Sequence, residues 1–229
     1  MIRGFFHAWR RARAAQALQH AARVEISTPE GPVLGLLHPA EVARAAVIMV
    51  GGSRGGLWGP AGIYVPLANR LQAAGIAALR LEYRRPNRLA DCVADVGTAI
   101  GMPEGRGMGR VALIGWSYGG AVVIGAGVAN PAVVGVATVA SQTYGADLVG
   151  RLAPKPLLLL HGTADRVLAD ACSRRLYARA GEPKELVLYP GDDHGLTRHA
   201  PQALDRLYAW SSELLSGTGV AEGQGDGKP

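Results

Sequence analysis

The sequence predicts an α/β domain: a mostly parallel central sheet of about eight strands with helices on both faces and no substantial lid. Three observations predict it. Short continuous apolar runs alternate with longer segments of helical periodicity between residues 24 and 215, the pattern of strands buried on both faces and joined by crossover helices. The apolar share is 48% of 229 residues, enough to fill one core at this length. The residues able to do chemistry gather just after the apolar runs, where sheets of this kind bind ligands.

Residues 1–22 read as an arginine-rich helix, with Ile2, Phe5, Phe6 and Trp9 on one face. Residues 1–23 are therefore assigned to a basic N-terminal extension. It has a functional reading, weak contact with an anionic membrane surface or with a partner, and a structural one, packing against the domain or a frayed extension. Arg13 interrupts the apolar face and favours the second. The apolar stretch is too short and broken for a secretory signal. Val24–Ser27 and Val33–Leu37 read as strands joined by the turn at Thr28, Pro29, Glu30 and Gly31. Ala45–Val50 is a continuous apolar run and hence a buried strand. Ile63–Ala74 is helical and stops at Gly75, Ile76–Leu81 is a strand, and Arg88–Ile100 is a helix. Val111–Ile114 is a strand. Ala121–Ala129 is a helix of small residues ended by Asn130 and Pro131. Val133–Ala140 and Pro156–Leu160 are strands, Ser173–Ala180 a helix, Leu186–Tyr189 the last strand and Pro201–Leu215 the last helix. A single folded domain is thus expected over 24–215. The segment Ser141–Lys155 is too short for a helical lid. The glycine-rich, polar tail at 216–229 is expected to be disordered.

Composition narrows the function classes. The net charge is +6, but Arg3, Arg10, Arg11, Arg13 and Arg23 all precede the first acid, Glu25. The body is close to neutral, so no nucleic-acid-binding face is expected. Cys92 and Cys172 form no spaced set, which argues against a disulfide framework or a cysteine metal site and for a reducing, cytoplasmic compartment. There is no run of 18 uncharged apolar residues to span a membrane. No metal and no organic cofactor are implied.

The run Val111–Gly120 places G-x-S-x-G directly after a buried-strand pattern and before a helix pattern. A sharp turn there needs small residues at Gly115 and Gly119 and projects Ser117 from the strand end, a plausible nucleophile once a base takes its proton. The turn also aims the N–H of Tyr118 at the reacting centre. His194 lies in a polar loop after the last strand and is the candidate base; His199 is its rival. Asp165, in the tight loop after Pro156–Leu160, is the candidate acid that orients the imidazole, with Asp170 as substitute. Asp192 and Asp193 are expected to shape the histidine loop through side-chain to backbone bonds, and His161 is read as structural or, equally, as a residue that supports the site from behind.

The loop Gly51–Gly56 is glycine-rich but lacks Walker spacing and G-x-G-x-x-G. It reads as an oxyanion loop in which the N–H of Ser53 or Gly52 faces the developing charge. Arg54, Trp116, Tyr83 and Tyr144 (with Trp58) are candidates to line the substrate site. For Arg54 a solvated position is an equal reading, as packing is for the aromatics.

The segments Gly115–Gly120, His161–Leu168 and Gly191–Leu196 resemble the nucleophile, acid and histidine segments of the α/β-hydrolase superfamily. The chain order Ser117, Asp165, His194 is also that superfamily's order. The resemblance covers 24–215 and is strongest to the small dienelactone hydrolase-like and esterase/thioesterase branch. It implies hydrolysis of a small-molecule acyl ester or thioester at Ser117. Acyl transfer, peptide cleavage and a non-catalytic binding role on the same fold are the alternatives. Two departures stand out. Dienelactone hydrolases proper carry cysteine where this chain has Ser117, so lactone hydrolysis is not carried over. Gly51-Gly52 also replaces the usual His-Gly before the oxyanion donor.

Overall fold

The structure, a computed structural model, describes residues 20–216. The extension expected at 1–23 lies outside the described residues up to residue 19, and the expected tail lies outside from residue 217.

Eight strands form one sheet: β1 (Ala22–Ile26), β2 (Val33–His38), β3 (Ala45–Val50), β4 (Ala77–Glu82), β5 (Arg110–Trp116), β6 (Val133–Val139), β7 (Leu157–Gly162) and β8 (Lys184–Tyr189). Their spatial order is β1-β2-β4-β3-β5-β6-β7-β8. β1 and β2 run antiparallel at one edge, and every pairing from β4 to β8 is parallel. Among the described residues five helices cover the sheet: α1 (Tyr64–Ala73), α2 (Leu89–Glu104), α3 (Tyr118–Ala129), α4 (Ala171–Arg179) and α5 (Ala200–Leu215).

Strand alternation sorts the apolar side chains into two cores. Leu157 and Leu159 of β7 join the core under α2, α3 and α4, with Val96, Val122 and Leu176. Leu158 and Leu160 join the opposite core under α1 and α5, with Leu67, Leu71 and Leu207. A strand buried on both faces needs apolar residues at every position, which is why these strands read as continuous runs.

The sequence limits were close, and the departures have local causes. α3 starts at Tyr118, three residues before the expected Ala121. Tight packing requires glycine at 119, as the sequence predicts, and also at 120. α2 runs to Glu104, past the expected stop at Ile100. β1 starts at Ala22, inside the stretch assigned to the extension, because residues 22–26 find β2 as a partner. Between β6 and β7 the chain forms only a short 3-10 turn, Asp147–Arg151. Among the described residues no helix is long and apolar enough to cross a membrane.

The strand order reverses between β3 and β5. β4 follows β3 to one side and β5 returns to the other, opening a crevice at their carboxyl ends. Val50, the last residue of β3, pairs with Gly115 of β5. The loop at Gly51–Gly56 and the turn at Ser117 therefore leave the sheet side by side.

Candidate active site

Ser117 sits between β5 and α3 with φ 58° and ψ −118°, a left-handed conformation that costs a non-glycine residue on the order of 1–3 kcal/mol. The turn holds because its neighbours interlock. The Ser117 N–H donates to Val139 O at 2.8 Å, and the Gly120 N–H donates to Ser117 O at 3.0 Å. A Cβ on Gly115 would strike the Gly119 carbonyl. One on Gly119 would strike the Gly51 carbonyl, and one on Gly120 would strike the side chain of Ser141. Three glycines let strand, helix and neighbouring loops close around the serine. The first N–H groups of α3, from Tyr118 onward, have no carbonyl within the helix to bond and lie at its positive end.

His194 is brought in by the loop after β8. Asp192, fully buried, clips that loop: its Oδ1 accepts from the N–H groups of Asp193 and Arg198, and its Oδ2 from the N–H and Nδ1 of His199. Asp193 accepts from Gly195 N and Thr197 N. The aspartates expected to shape this loop do so. Leu196, with φ 52°, buries its side chain beneath it. The loop is also laced to the acid loop, because Ala164 N donates to Asp192 O at 2.9 Å and Gly191 N donates to Thr163 Oγ1 at 2.9 Å.

These contacts bring Ser117, His194 and Asp165 into line. Ser117 Oγ lies 3.0 Å from His194 Nε2, and His194 Nδ1 lies 2.7 Å from Asp165 Oδ2. Asp165 Oδ1 accepts from the N–H groups of Val167 and Leu168 at 2.8 and 2.9 Å. Burial pushes the Asp165 carboxyl up, but the bonds from Leu168, His194 and Val167 outweigh it and hold the group below its ordinary 3.8. An ionised carboxylate is thus maintained against the imidazole. The rival residues are engaged elsewhere. His199 points its Nδ1 at Asp192 and stacks on Tyr189 at 5.3 Å, and Asp170 accepts from Arg174.

In the glycine-rich loop, Gly52 approaches the serine. A Cβ on Gly52 would lie 3.6 Å from Ser117 Cβ, whereas Ser53 is exposed. The loop is held by a turn in which Gly55 N donates to Gly52 O, by Glu82 accepting from Gly56 N at 2.9 Å, and by two buried tyrosines. Tyr64 donates to Val50 O at 3.0 Å and Tyr83 to Gly51 O at 3.2 Å.

This corrects the sequence expectation for Tyr83. It is 4% exposed and edge-on to Tyr118, so it supports the loop from within the core and does not line a substrate site. The reason is its register: it follows Glu82 at the end of β4, the strand paired with β3, so its hydroxyl reaches the residue that follows β3. Trp116 is half-buried, its ring 5.6 Å from that of His194 and its Nε1 donating to His194 O at 3.1 Å. Tyr144 is 78% exposed and borders a groove of about 560 Å³ with Thr143, Arg175 and Arg179. Arg54 is exposed. Sequence reasoning missed the supports Tyr64, Glu82 and Ser141, whose contacts are long-range. Sequence reasoning left His161 open between a structural and a supporting role, and the structure sets its Nε2 3.2 Å from Asp165 Oδ2.

No family model matches the chain. Among curated proteins, the uncharacterized protein YfhR of Escherichia coli K12 is 29% identical over 189 residues, spanning 68% of this chain and 65% of that protein. YfhR of Salmonella typhi is 40% identical over 68 residues, 29% of this chain and 23% of its own. The chain thus spans under two thirds of the length of the curated relatives it matches. Solved structures align more fully. The α/β hydrolase GrgF from Penicillium sp. sh18 superposes with a TM-score of 0.74 at 15% identity, over 86% of this chain and 99% of GrgF. Est1E from Butyrivibrio proteoclasticus gives 0.74 at 15%, over 85% and 99%. Dienelactone hydrolase from Anabaena variabilis gives 0.72 at 22%, over 86% and 96%. The protein has the α/β-hydrolase fold.

Proposed function

We propose that the protein is a serine hydrolase that cleaves carboxylic esters or thioesters of small molecules through an acyl-enzyme at Ser117. The observation that carries this reading is the hydrogen-bond line from Ser117 Oγ to His194 Nε2 and from His194 Nδ1 to Asp165, at 3.0 and 2.7 Å. It spans residues 117, 165 and 194, which sequence alone leaves far apart.

The steps follow from the geometry. Ser117 Oγ attacks the acyl carbon while His194 Nε2 takes its proton. The substrate carbonyl oxygen becomes negative and is held by the N–H groups of Tyr118 and Gly52. Asp165 keeps Nδ1 protonated and steadies the imidazolium. His194 then gives its proton to the leaving oxygen or sulfur, which departs with the electrons of the broken bond. A water, deprotonated by His194, attacks the acyl-enzyme, and His194 returns that proton to Ser117 Oγ as the acid leaves. The absence of a helical insertion between β6 and β7 supports an open site for soluble substrates.

A fluorophosphonate probe tests the reading. One adduct on Ser117 by peptide mass spectrometry, lost in Ser117→Ala, is expected. A panel of acyl esters and acyl thioesters should show turnover that falls by about 10³ or more in that variant. Absence of both labelling and Ser117-dependent turnover would overturn it.

A further inference from the structure

Asp165 Oδ2 accepts from two imidazoles. One is His194 at 2.7 Å; the other is His161, whose Nε2 lies 3.2 Å away. His161 is completely buried, and so is the hydroxyl-bearing Ser173 in the first turn of α4, 2.7 Å from His161 Nδ1. His161 Nε2 also lies 3.0 Å from the carbonyl oxygen of Leu168. That contact fixes the tautomer. A carbonyl only accepts, so Nε2 carries the hydrogen and shares it between Leu168 O and Asp165 Oδ2; Nδ1 then accepts from the Ser173 hydroxyl. Two Ser-His arms therefore converge on one carboxylate oxygen. The outer arm is Ser117–His194 and faces the crevice. The inner arm, Ser173–His161, is sealed in the core.

We infer that His161 is a positioning residue for the proposed reaction: locked as the Nε2–H tautomer by Ser173 and Leu168, it fixes Asp165 Oδ2 and draws off part of its charge, limiting how tightly the carboxylate holds a proton on His194. The inference rests on the serine-hydrolase reading of Ser117, Asp165 and His194. It also explains why the loop keeps its shape, since Leu168 donates its N–H to Asp165 Oδ1 and accepts through its carbonyl from His161.

With His161 removed, the full charge of Oδ2 acts on His194. The imidazolium is better held, and the acid limb of kcat/KM moves to higher pH. The other charged groups about His194 are Asp192, Asp193, Arg198 and His199 on its own loop. About His161 and the acid loop they are Asp165, Arg166 and Asp170. None changes in the variants below, and Trp116 at the end of β5 and Ser117 in the turn after it, which face His194, carry no charge.

Three full-length variants test the inference: His161→Leu, His161→Gln and Ser173→Ala. Thermal melts establish folding. The downfield proton resonance of His194 Nδ1–H reads the bond to Asp165 without catalysis, and the pH profile with p-nitrophenyl acetate reads its consequence. In His161→Leu the resonance should shift and the acid limb should rise by roughly half a pH unit to one unit, as expected for one lost bond to a carboxylate. His161→Gln keeps a donor at the same reach and should return both toward wild type. A folded His161→Leu with the wild-type resonance and limb overturns the inference, as does a His161→Gln that behaves like His161→Leu. If His161→Leu does not fold, Ser173→Ala decides: a smaller move in the same direction supports the inference and no move overturns it. Wild-type protein without Ser117-dependent turnover would remove the parent reading, and the resonance would still decide whether His161 shapes the Asp165–His194 pair.

Discussion

Gly119 packs so closely on the carbonyl of Gly51 that no side chain fits between them. This contact joins the first turn of α3 to the loop after β3, and so joins the two N–H donors proposed for the oxyanion. Gly119→Ala must push backbone against backbone, which no rotamer change relieves. It should cost about 1–3 kcal/mol of stability, the usual cost of overpacking, read by denaturant unfolding. It should also reduce kcat by at least tenfold through a displaced Gly52. A variant with wild-type stability and turnover would show that the two elements are not coupled.

Gly52→Ala separates the site from the fold. The added methyl would meet Ser117 Cβ at 3.6 Å and Oγ at 4.0 Å, ordinary contact distances. Folding should be nearly unchanged, within about 0.5 kcal/mol. The methyl would stand over the nucleophile, so kcat/KM should fall most for bulky acyl groups. Comparing acetyl and longer acyl esters checks this; equal losses across the series would contradict it.

Asp192 carries a structural load next to the site. Its carboxylate receives three backbone N–H groups and His199 Nδ1. Burial raises its carboxyl, yet the bonds from Arg198, His199 and Asp193 win and hold it below 3.8. Asp192→Ala should destabilise by roughly 2–4 kcal/mol, because the removed carboxylate leaves several donors unmet. It should also loosen His194 without touching it, lowering kcat more than it raises KM. Unfolding midpoints and steady-state kinetics read the two effects.

His38 on β2 gives a pH signature unrelated to the site. It is fully buried and accepts from Arg80 Nε at 3.2 Å. Burial, then the Arg80 charge, lowers it from 6.5 to about 4. The unfolded chain therefore binds this proton first as the pH falls. The contribution is fully present above pH 6.5 and is lost between 6.5 and about 4, amounting to about 3 kcal/mol. Unfolding free energies at several pH values should show this slope in wild type and a flatter one in His38→Gln. Equal slopes would count against it.

Much of this was legible in the chain. Ala45–Val50 and the leucine run at Leu157–Leu160 read as buried strands, because each is a continuous apolar run of strand length bounded by loop residues. Gly115, Ser117 and Gly119 declared a strand-to-helix turn, and the positions of Asp165 and His194 after later strands supplied candidates in an order the fold could use. The supports were not legible. Tyr83 carries the same aromatic signal as a substrate wall, and only its place after β4, beside β3, makes it a brace for Gly51. His161 could be noticed four residues before Asp165, but its second partner, Ser173, comes from another element. Local sequence determined which segments become strands and which residues can donate, accept or attack, since periodicity and side-chain chemistry are local properties. The tertiary structure decided which of them meet. The reversal of strand order between β3 and β5 places Gly52 beside Ser117, and the lacing of the β7 and β8 loops delivers Asp165 to His194. Hydrogen bonds act only over about 3 Å, a proximity that folding and not sequence spacing creates.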